Sequence, residues 1–415
     1  MTYIEFFDKD AVENICSCLV QPPERVILIG DSSKQLKAHA QRYRRVFSDR
    51  GQSIDFSYRS VNRNRLCDIL EVLTDIAETE PDCVFDLTGG DELYLVAMGI
   101  VFARYPEKNI RLHRFNIRSN VICDCDEDGA TVFDGQVPAL TVEENIRIYG
   151  GDIVYDTMRR GGTRRWDMNT EFLQDLRTMW EICRQDVKEW NAQIGIFAAM
   201  EPFCCDDGRS LNVTAPLSQL LIRLNPTRLR LLRKSRVTEQ LLQAGLLTEF
   251  AVSDDLAVVG YKNEQVKQCL TKAGQALEMT VLRAAMEARE ADGTPSYTDA
   301  MTGVCIDWDG EIPSQGGPDT ENEIDVLLMH GMVPVFISCK NGQVEMDELF
   351  KLGTVADRFG GTYAKKVLVA TALTDSISTQ HLLQRAEDMG IRVVTNLTAL
   401  DETELLRTVR NLWQN

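Results

Sequence analysis

Apolar runs and amphipathic stretches alternate through the first 120 residues or so. Residues 25–30 (Arg-Val-Ile-Leu-Ile-Gly) form a continuous apolar run that stops at glycine, as a buried parallel strand does. Asp31-Ser32-Ser33 then supplies cap-type side chains ahead of a helix expected over 34–50. A second strand is expected over 53–58. Leu66, Ile69, Leu70, Leu73 and Ile76 have the spacing of a helix over 64–78. Residues 83–87 read as a third strand, 91–105 as a helix and 110–117 as a fourth strand. Strands alternating with helices predict a doubly wound, Rossmann-like α/β domain over residues 1–155.

The period then changes. Helices are expected over 169–190 and 217–236, and a short one over 238–244 stops at Gly245. Strand-like runs at 247–252 and 256–261 flank Ser253-Asp254-Asp255. Helix, helix, hairpin is the order of a winged helix-turn-helix, expected here over 156–263. Such a region serves either as a nucleic-acid-contacting module or as a spacer or dimerisation element. The remainder, 264–415, opens with a long helix expected over 264–290, a strand over 301–308, a turn at Asp309-Gly310 and a polar loop over 313–320. Two more strands follow, then a helix over 345–359, a strand over 366–370, a helix over 379–389 and a strand over 391–395.

Those two strands carry charges that burial disfavours. One reads Glu323-Ile324-Asp325-Val326-Leu327-Leu328-Met329, the other Val333-Pro334-Val335-Phe336-Ile337-Ser338-Cys339-Lys340. Isolated charges inside buried strands are expensive unless a partner or metal compensates them. Alternation is expected to put Glu323, Asp325 and Leu327 on one face, and Ser338 and Lys340 on one face of the next strand. A carboxylate and a lysine there suit metal-assisted phosphodiester cleavage: Asp325 as first metal ligand and Lys340 as water-positioning residue. Glu278, on the preceding helix, is a further candidate for orienting water or holding the metal. Oxygen donors favour Mg²⁺ or Mn²⁺. The competing explanation is a structural Asp325–Lys340 ion pair. Asp307 is another candidate ligand, or a turn former beside Asp309-Gly310.

Composition narrows the setting. The chain has 415 residues and a net charge of −18, which argues against indiscriminate nucleic-acid binding by its whole surface. Locally, residues 209–238 contain no acid, while Arg223, Arg228, Arg230, Arg233, Lys234 and Arg236 cluster. Twelve scattered cysteines without a CxxC, with only four histidines, disfavour a structural zinc site and suggest reduced thiols; Cys16/Cys18, Cys123/Cys125 and Cys204/Cys205 are the close pairs. No apolar run is long enough to span a bilayer and no signal peptide is evident, so a cytoplasmic protein without membrane partners is expected.

Residues 265–395 resemble the PD-(D/E)xK restriction-endonuclease-like fold, with Asp325 and Ser338-Cys339-Lys340 at the family motif. That family usually has Asp or Glu where this chain has Ser338. The resemblance implies that an acid on the following helix, Glu348 or Glu345, replaces it, giving Asp325, Glu278 and Glu348 as metal ligands and Asp325, Lys340, Glu278, Ser338 and Glu348 as the catalytic group.

Upstream, Gly30-Asp31-Ser32-Ser33 and Thr88-Gly89-Gly90-Asp91 follow strand ends, where open α/β sheets bind ligands; neither is a GxGxxG dinucleotide fingerprint. With the C-terminal motif, Asp86-Leu87-Thr88-Gly89-Gly90 makes the whole chain similar to CARF-domain nucleases of type III CRISPR systems. The resemblance implies a homodimer that binds cyclic oligoadenylate, commonly cyclic tetra-adenylate, at its two-fold axis and cleaves DNA and/or RNA in response. Ser32, Ser33, Thr88, Gly89, Gly90 and Asp91 are expected near the ligand. Asn62, Arg63, Asn64 and Arg65 either reach its phosphate or adenine or form a solvated helix start. The basic run Arg159–Arg165 contacts activator, substrate or water. The alternative is a ligand-responsive transcription regulator that uses the winged-helix region and carries a degenerate nuclease.

Overall fold

The computed structural model describes residues 1–8, 10–117, 121–126, 129–132, 139–158, 161–205, 209–311, 321–371, 373 and 377–414. Arg159 and Arg160, the loop expected over 313–320, and the side chains of Cys123 and Cys125 lie outside the described residues.

The N-terminal sheet is built from β1 (Thr2–Phe6), β2 (Arg25–Gly30), β3 (Asp55–Ser60), β4 (Asp82–Asp86), β5 (Asn109–Asn116), β6 (Val121–Asp126) and β7 (Gly129–Val132). Its order is β3-β2-β1-β4-β5-β6-β7. The first five are mutually parallel, and β6 and β7 run antiparallel at one edge. Helices α1 (Cys16–Val20), α2 (Ser33–Asp49), α3 (Leu66–Thr79) and α4 (Glu92–Arg104) connect or cover the strands. The sequence reading anticipated β2 to β5 and missed β1, the strand between β2 and β4. Buried Glu5 breaks its apolar run, and burial beside Asp86 pushes the Glu5 carboxyl well above its usual range.

Helix α5 (Val142–Ile148) begins at a capping box in which Thr141 and Glu144 satisfy each other's backbone amides. Strand β8 (Asp152–Ile153) pairs with a strand of the C-terminal sheet, although these residues fall within the 1–155 segment.

The connector comprises α6 (Thr170–Gln185), α7 (Val187–Met200), β9 (Asn212–Pro216), α8 (Leu217–Arg223), α9 (Pro226–Arg233), α10 (Arg236–Gln243), β10 (Leu247–Val252) and β11 (Leu256–Tyr261). Its sheet order, β10-β11-β9, is winged-helix-like. The helix expected over 169–190 is divided at Asp186, whose carboxylate caps α7 by accepting the Glu189 amide. The helix expected over 217–236 is divided at Asn225-Pro226, where asparagine caps α9 and proline takes its first turn.

The C-terminal region comprises α11 (Glu264–Thr271), α12 (Gln275–Glu287), β12 (Asp299–Asp307), β13 (Glu321–His330), β14 (Val333–Lys340), α13 (Met346–Gly360), β15 (Lys365–Ala370), α14 (Ile377–Asp388), β16 (Ile391–Val394) and α15 (Glu402–Arg410). The sheet order is β16-β15-β14-β13-β12-β8. Strands β12, β13 and β14 are antiparallel neighbours; β14, β15 and β16 are parallel. The long helix expected over 264–290 is two helices, broken at Gly274, whose φ of 86° is left-handed.

One face of this sheet packs Val326, Leu328, Ile337 and Cys339 against α12 and the connector. The other packs Ile324, Leu327, Phe336 and Leu368 into a core that continues through Ile146 and Phe359 to Tyr3, Val26 and Phe47 of the N-terminal sheet. The two sheets therefore share apolar interior. A polar knot crosses the same boundary: Asp10 accepts the Thr362 amide at 2.7 Å and the Tyr149 hydroxyl. Asp10→Ala strands the buried Tyr149 hydroxyl and frees the Thr362 amide, and is expected to cost about 1–3 kcal/mol, read as a lower Tm and denaturation midpoint.

Candidate active site and N-terminal loops

The C-terminal site forms where β13 and β14 part. Their pairing begins at Val326↔Ile337, so Asp325 lies just beyond the ladder. Ile324 and Leu327 pack into the same core although three residues apart, so the strand alternation slips at Asp325. This corrects the expectation of Glu323, Asp325 and Leu327 on one face. Ser338 and Lys340 do flank Cys339, which packs on the opposite core.

Asp325 Oδ2 accepts the Cys339 amide at 2.6 Å and the Ser338 hydroxyl at 3.2 Å. The Lys340 ammonium lies 3.6 Å from the same oxygen and 2.9 Å from Glu348 Oε2. Lys351 joins Glu348 from the next turn of α13, at 3.3 Å. Burial alone would depress the Lys340 amine, but Asp325 and Glu348 hold it above the usual lysine value. Burial would raise Glu348, and its bond to Lys340 brings it below the usual glutamate value instead.

Glu278 projects from the first turn of α12 and is 4% exposed. Gln275 donates to it at 3.1 Å. Burial pushes its carboxyl up to about 8; Lys272 opposes this, while Asp325 and Glu323 reinforce it. Lys272 in turn pairs with Glu323 at 2.5 Å. The Lys272–Glu323 pair went unrecognised in the sequence, because Lys272 sits in the unforeseen break between α11 and α12.

Asp325, Ser338, Lys340, Glu348 and Lys351 line a cavity of about 230 Å³. Glu323 borders both this cavity and a larger one of about 800 Å³ that reaches Arg164, Arg209 and Gln268. Glu345, the other replacement acid considered, is exposed at the start of α13. Asp307 takes the turn role: its Oδ1 accepts the Gly310 amide at 2.5 Å.

Among the described residues, no three Asp, Glu, His or Cys side chains are close enough together to ligate one ion. Asp325 and Glu348 converge on the Lys340 amine rather than on a common point. The chemistry of the donors nonetheless fits a hard divalent cation. Asp325, Glu278 and Glu348 are all-oxygen donors.

In the N-terminal domain, the ends of β2, β3 and β4 bring the predicted loops to one edge. Ser32 caps α2 by accepting the Gln35 amide at 3.4 Å, with Ser33 as the first helical residue. Asn62 accepts the Asn64 amide at 3.1 Å, shaping the turn after β3. Arg63 pairs with Asp91, the residue that starts α4, and lies 3.9 Å from Asp31. Asp31, Ser60, Asn62, Arg63 and Asn64 line an open cavity of about 630 Å³. Arg65 turns away to Asp68 at 3.4 Å. The Thr88 amide donates to Asp86 at 2.7 Å and its hydroxyl accepts the Phe115 amide at 2.8 Å. Gly90 has a φ of 99° and a Cβ there would lie 2.7 Å from Phe6, so no other residue fits comfortably. Its amide donates to Asp8 at 3.2 Å. Asp8 escaped the sequence reading together with β1.

No protein-family model matches the chain, and no curated protein matches it by sequence. Solved structures match over the whole length. The crystal structure of protein VC1899 from Vibrio cholerae superposes with a TM-score of 0.71 at 20% identity, covering 100% of this chain and 97% of that one. Can2 from Sulfobacillus thermosulfidooxidans, solved in complex with cyclic tetra-adenylate, superposes with a TM-score of 0.65 at 16% identity, covering 99% and 97%. The chain thus has the fold of these proteins: a Rossmann-like N-terminal sheet, a winged-helix-like middle and a mixed C-terminal sheet. No helix among the described residues is long and apolar enough to cross a membrane.

A raised Glu278 binds its proton more tightly when folded than when unfolded. Its ionisation therefore lowers stability progressively from about pH 4.5 to about pH 8, with no further loss above. Glu278→Gln is expected to match the parent near the acid end of that window and to exceed it by about 2–4 kcal/mol above it, measured by chemical denaturation without metal.

Proposed function

We propose that this protein is a metal-dependent endonuclease, acting on DNA and/or RNA, that cyclic oligoadenylate switches on in type III CRISPR antiviral defence. The observation that carries this reading is the Asp325–Lys340–Glu348 cluster, set in a cavity at the parting of β13 and β14. The fold it shares end to end with Can2, a protein solved with cyclic tetra-adenylate, supports that molecule as activator. Asp325, Glu278 and Glu348 would hold Mn²⁺ or Mg²⁺. When bound, the ion offsets charge on the attacked phosphate and makes its water a better nucleophile.

The chain's own groups do the rest. The Cys339 amide and Ser338 hydroxyl fix Asp325 Oδ2. Lys340, kept protonated by its two acids, orients the attacking water and stabilises charge developing on the phosphate. Ser338 thus acts as a support for Asp325, and Glu348 supplies the carboxylate that position 338 lacks. At the other end, Arg63 and the Ser32 and Asn62 turns offer a cation and donors to a cyclic phosphate ring. A ring with repeated units suits one patch presented twice by a homodimer. Leu95 and Val96, exposed one turn into α4 beside Asp91, supply apolar surface for that pairing.

Two measurements test the reading. With Mn²⁺, labelled single-stranded RNA and plasmid DNA, cyclic tetra-adenylate is expected to stimulate cleavage, and Lys340→Ala to reduce it at least about 100-fold; absence of cleavage from the parent protein under every metal and activator tried would refute the enzyme. Arg63→Ala is expected to weaken activator binding by about tenfold or more in calorimetry while leaving cleavage at saturating activator near the parent rate.

A further inference from the structure

The acid-free segment of the connector is not absorbed by the site described above. Arg223 closes α8, Arg230 and Arg233 lie on α9, and Lys234 follows it; all four are exposed. Among the described residues, no carboxylate forms an ion pair with any of them. Arg223 lies over the Phe203 ring, with its guanidinium 5.2 Å from the centroid. On a protein with a net charge of −18, four exposed cations close together along α8 and α9 stand out against their surroundings.

The winged-helix-like layout does not use this region in the usual way. The helix such a module inserts into a DNA groove would be α10, immediately before the hairpin. Here Gln185 at the end of α6 accepts from Gln240 at 2.9 Å and from Arg236 at 3.4 Å, tying down one face of α10. The Ser235 cap of α10 is likewise held by Glu189 of α7. The basic face of α9 remains open instead.

That face is linked to the catalytic strand through α7. Asn191 of α7 donates to the Asn341 carbonyl at 2.5 Å and accepts from its amide group at 2.8 Å, next to Lys340. One turn further along the same side of α7, the guanidinium of Arg228, from α9, lies against Gly195 where a Cβ would meet it. The end of β14 and the basic helix are thus seated on one stripe of one helix.

We propose that Arg223, Arg230, Arg233 and Lys234 form a docking track for the phosphodiester backbone of the nucleic-acid substrate, leading toward the end of β14. The proposal rests on the nuclease reading above. Positive charge without a groove-reading helix grips phosphates and reads no sequence. The track therefore supplies affinity that the acidic catalytic cavity does not, and its hold is the same for any base order.

The test separates binding from cleavage. In the Lys340→Ala protein, with EDTA, labelled oligo-dT and oligo-U are titrated by fluorescence anisotropy across a salt series. Replacing Arg230, Arg233 and Lys234 together by Gln is expected to raise Kd about tenfold or more at low salt and to lower the log–log salt slope by about 2, at roughly 0.7 per phosphate contact on single strands. Replacing the two arginines by Lys is expected to preserve the slope. Thermal unfolding confirms that the Gln variant folds; its side chains are exposed and unpaired, so an unchanged Tm is expected. A larger effect on oligo-dT or on oligo-U identifies which backbone the track favours. Unchanged Kd and slope for both oligonucleotides overturn the proposal. So does loss of self-association in sedimentation with binding retained, which would assign the face to a second copy of the chain. Failure of the nuclease reading is seen separately, as no cleavage by the parent protein with activator and Mn²⁺.

Discussion

The interior shared between the two large sheets governs the rest of the molecule. Helix α5 sits between them with Val142, Ile146 and Ile148 all buried, and its capping box and the Arg50–Glu144 pair fix where it starts. Apolar burial stabilises by roughly 25 cal/mol per Å², so an interior continuous from Tyr3 to Phe359 joins the N-terminal and C-terminal regions far more firmly than a linker could. Asp10 adds direction to that adhesion. Its two oxygens reach Tyr149 and the start of the turn after α13, so the sheets are held in one register as well as held together.

Charge is arranged differently in the two functional regions. In the C-terminal site acids outnumber cations, and Lys340 is the pivot: it neutralises part of Asp325 and Glu348 while Glu278 stays protonated near neutrality. In the N-terminal loops Arg63 is shared between Asp31 and Asp91. Among the described residues, the connector holds exposed cations without an ion-pair partner, at Arg223, Arg230, Arg233 and Lys234.

Much of the α/β framework was legible because its strands are continuous apolar runs and its helices carry regular apolar spacing; β2 and the helix after it are examples. What escaped had physical causes. Strand β1 carries a buried acid, so its pattern resembles a polar segment. Helices expected over 169–190, 217–236 and 264–290 are each cut by a local device: the Asp186 cap, the Asn225-Pro226 start and the left-handed Gly274. Periodicity sums over a window and passes through such points. At the site, Asp325 with Lys340 was readable as charges inside apolar runs, and Glu348 or Glu345 as the acid that the family resemblance implies on the following helix. The slip of alternation at Asp325 was not readable, since it arises where β14 stops pairing with β13.

The common interior has a mechanical corollary. Sliding one sheet over the other inside a protomer would wet the surfaces of Ile146, Phe336 and Phe359 and strand the Asp10 acceptors, so such shear is strongly opposed. The chain behaves as a lever without an elbow. Whatever tilts the N-terminal sheet tilts the C-terminal sheet by the same angle, with a displacement that grows with distance from the fulcrum.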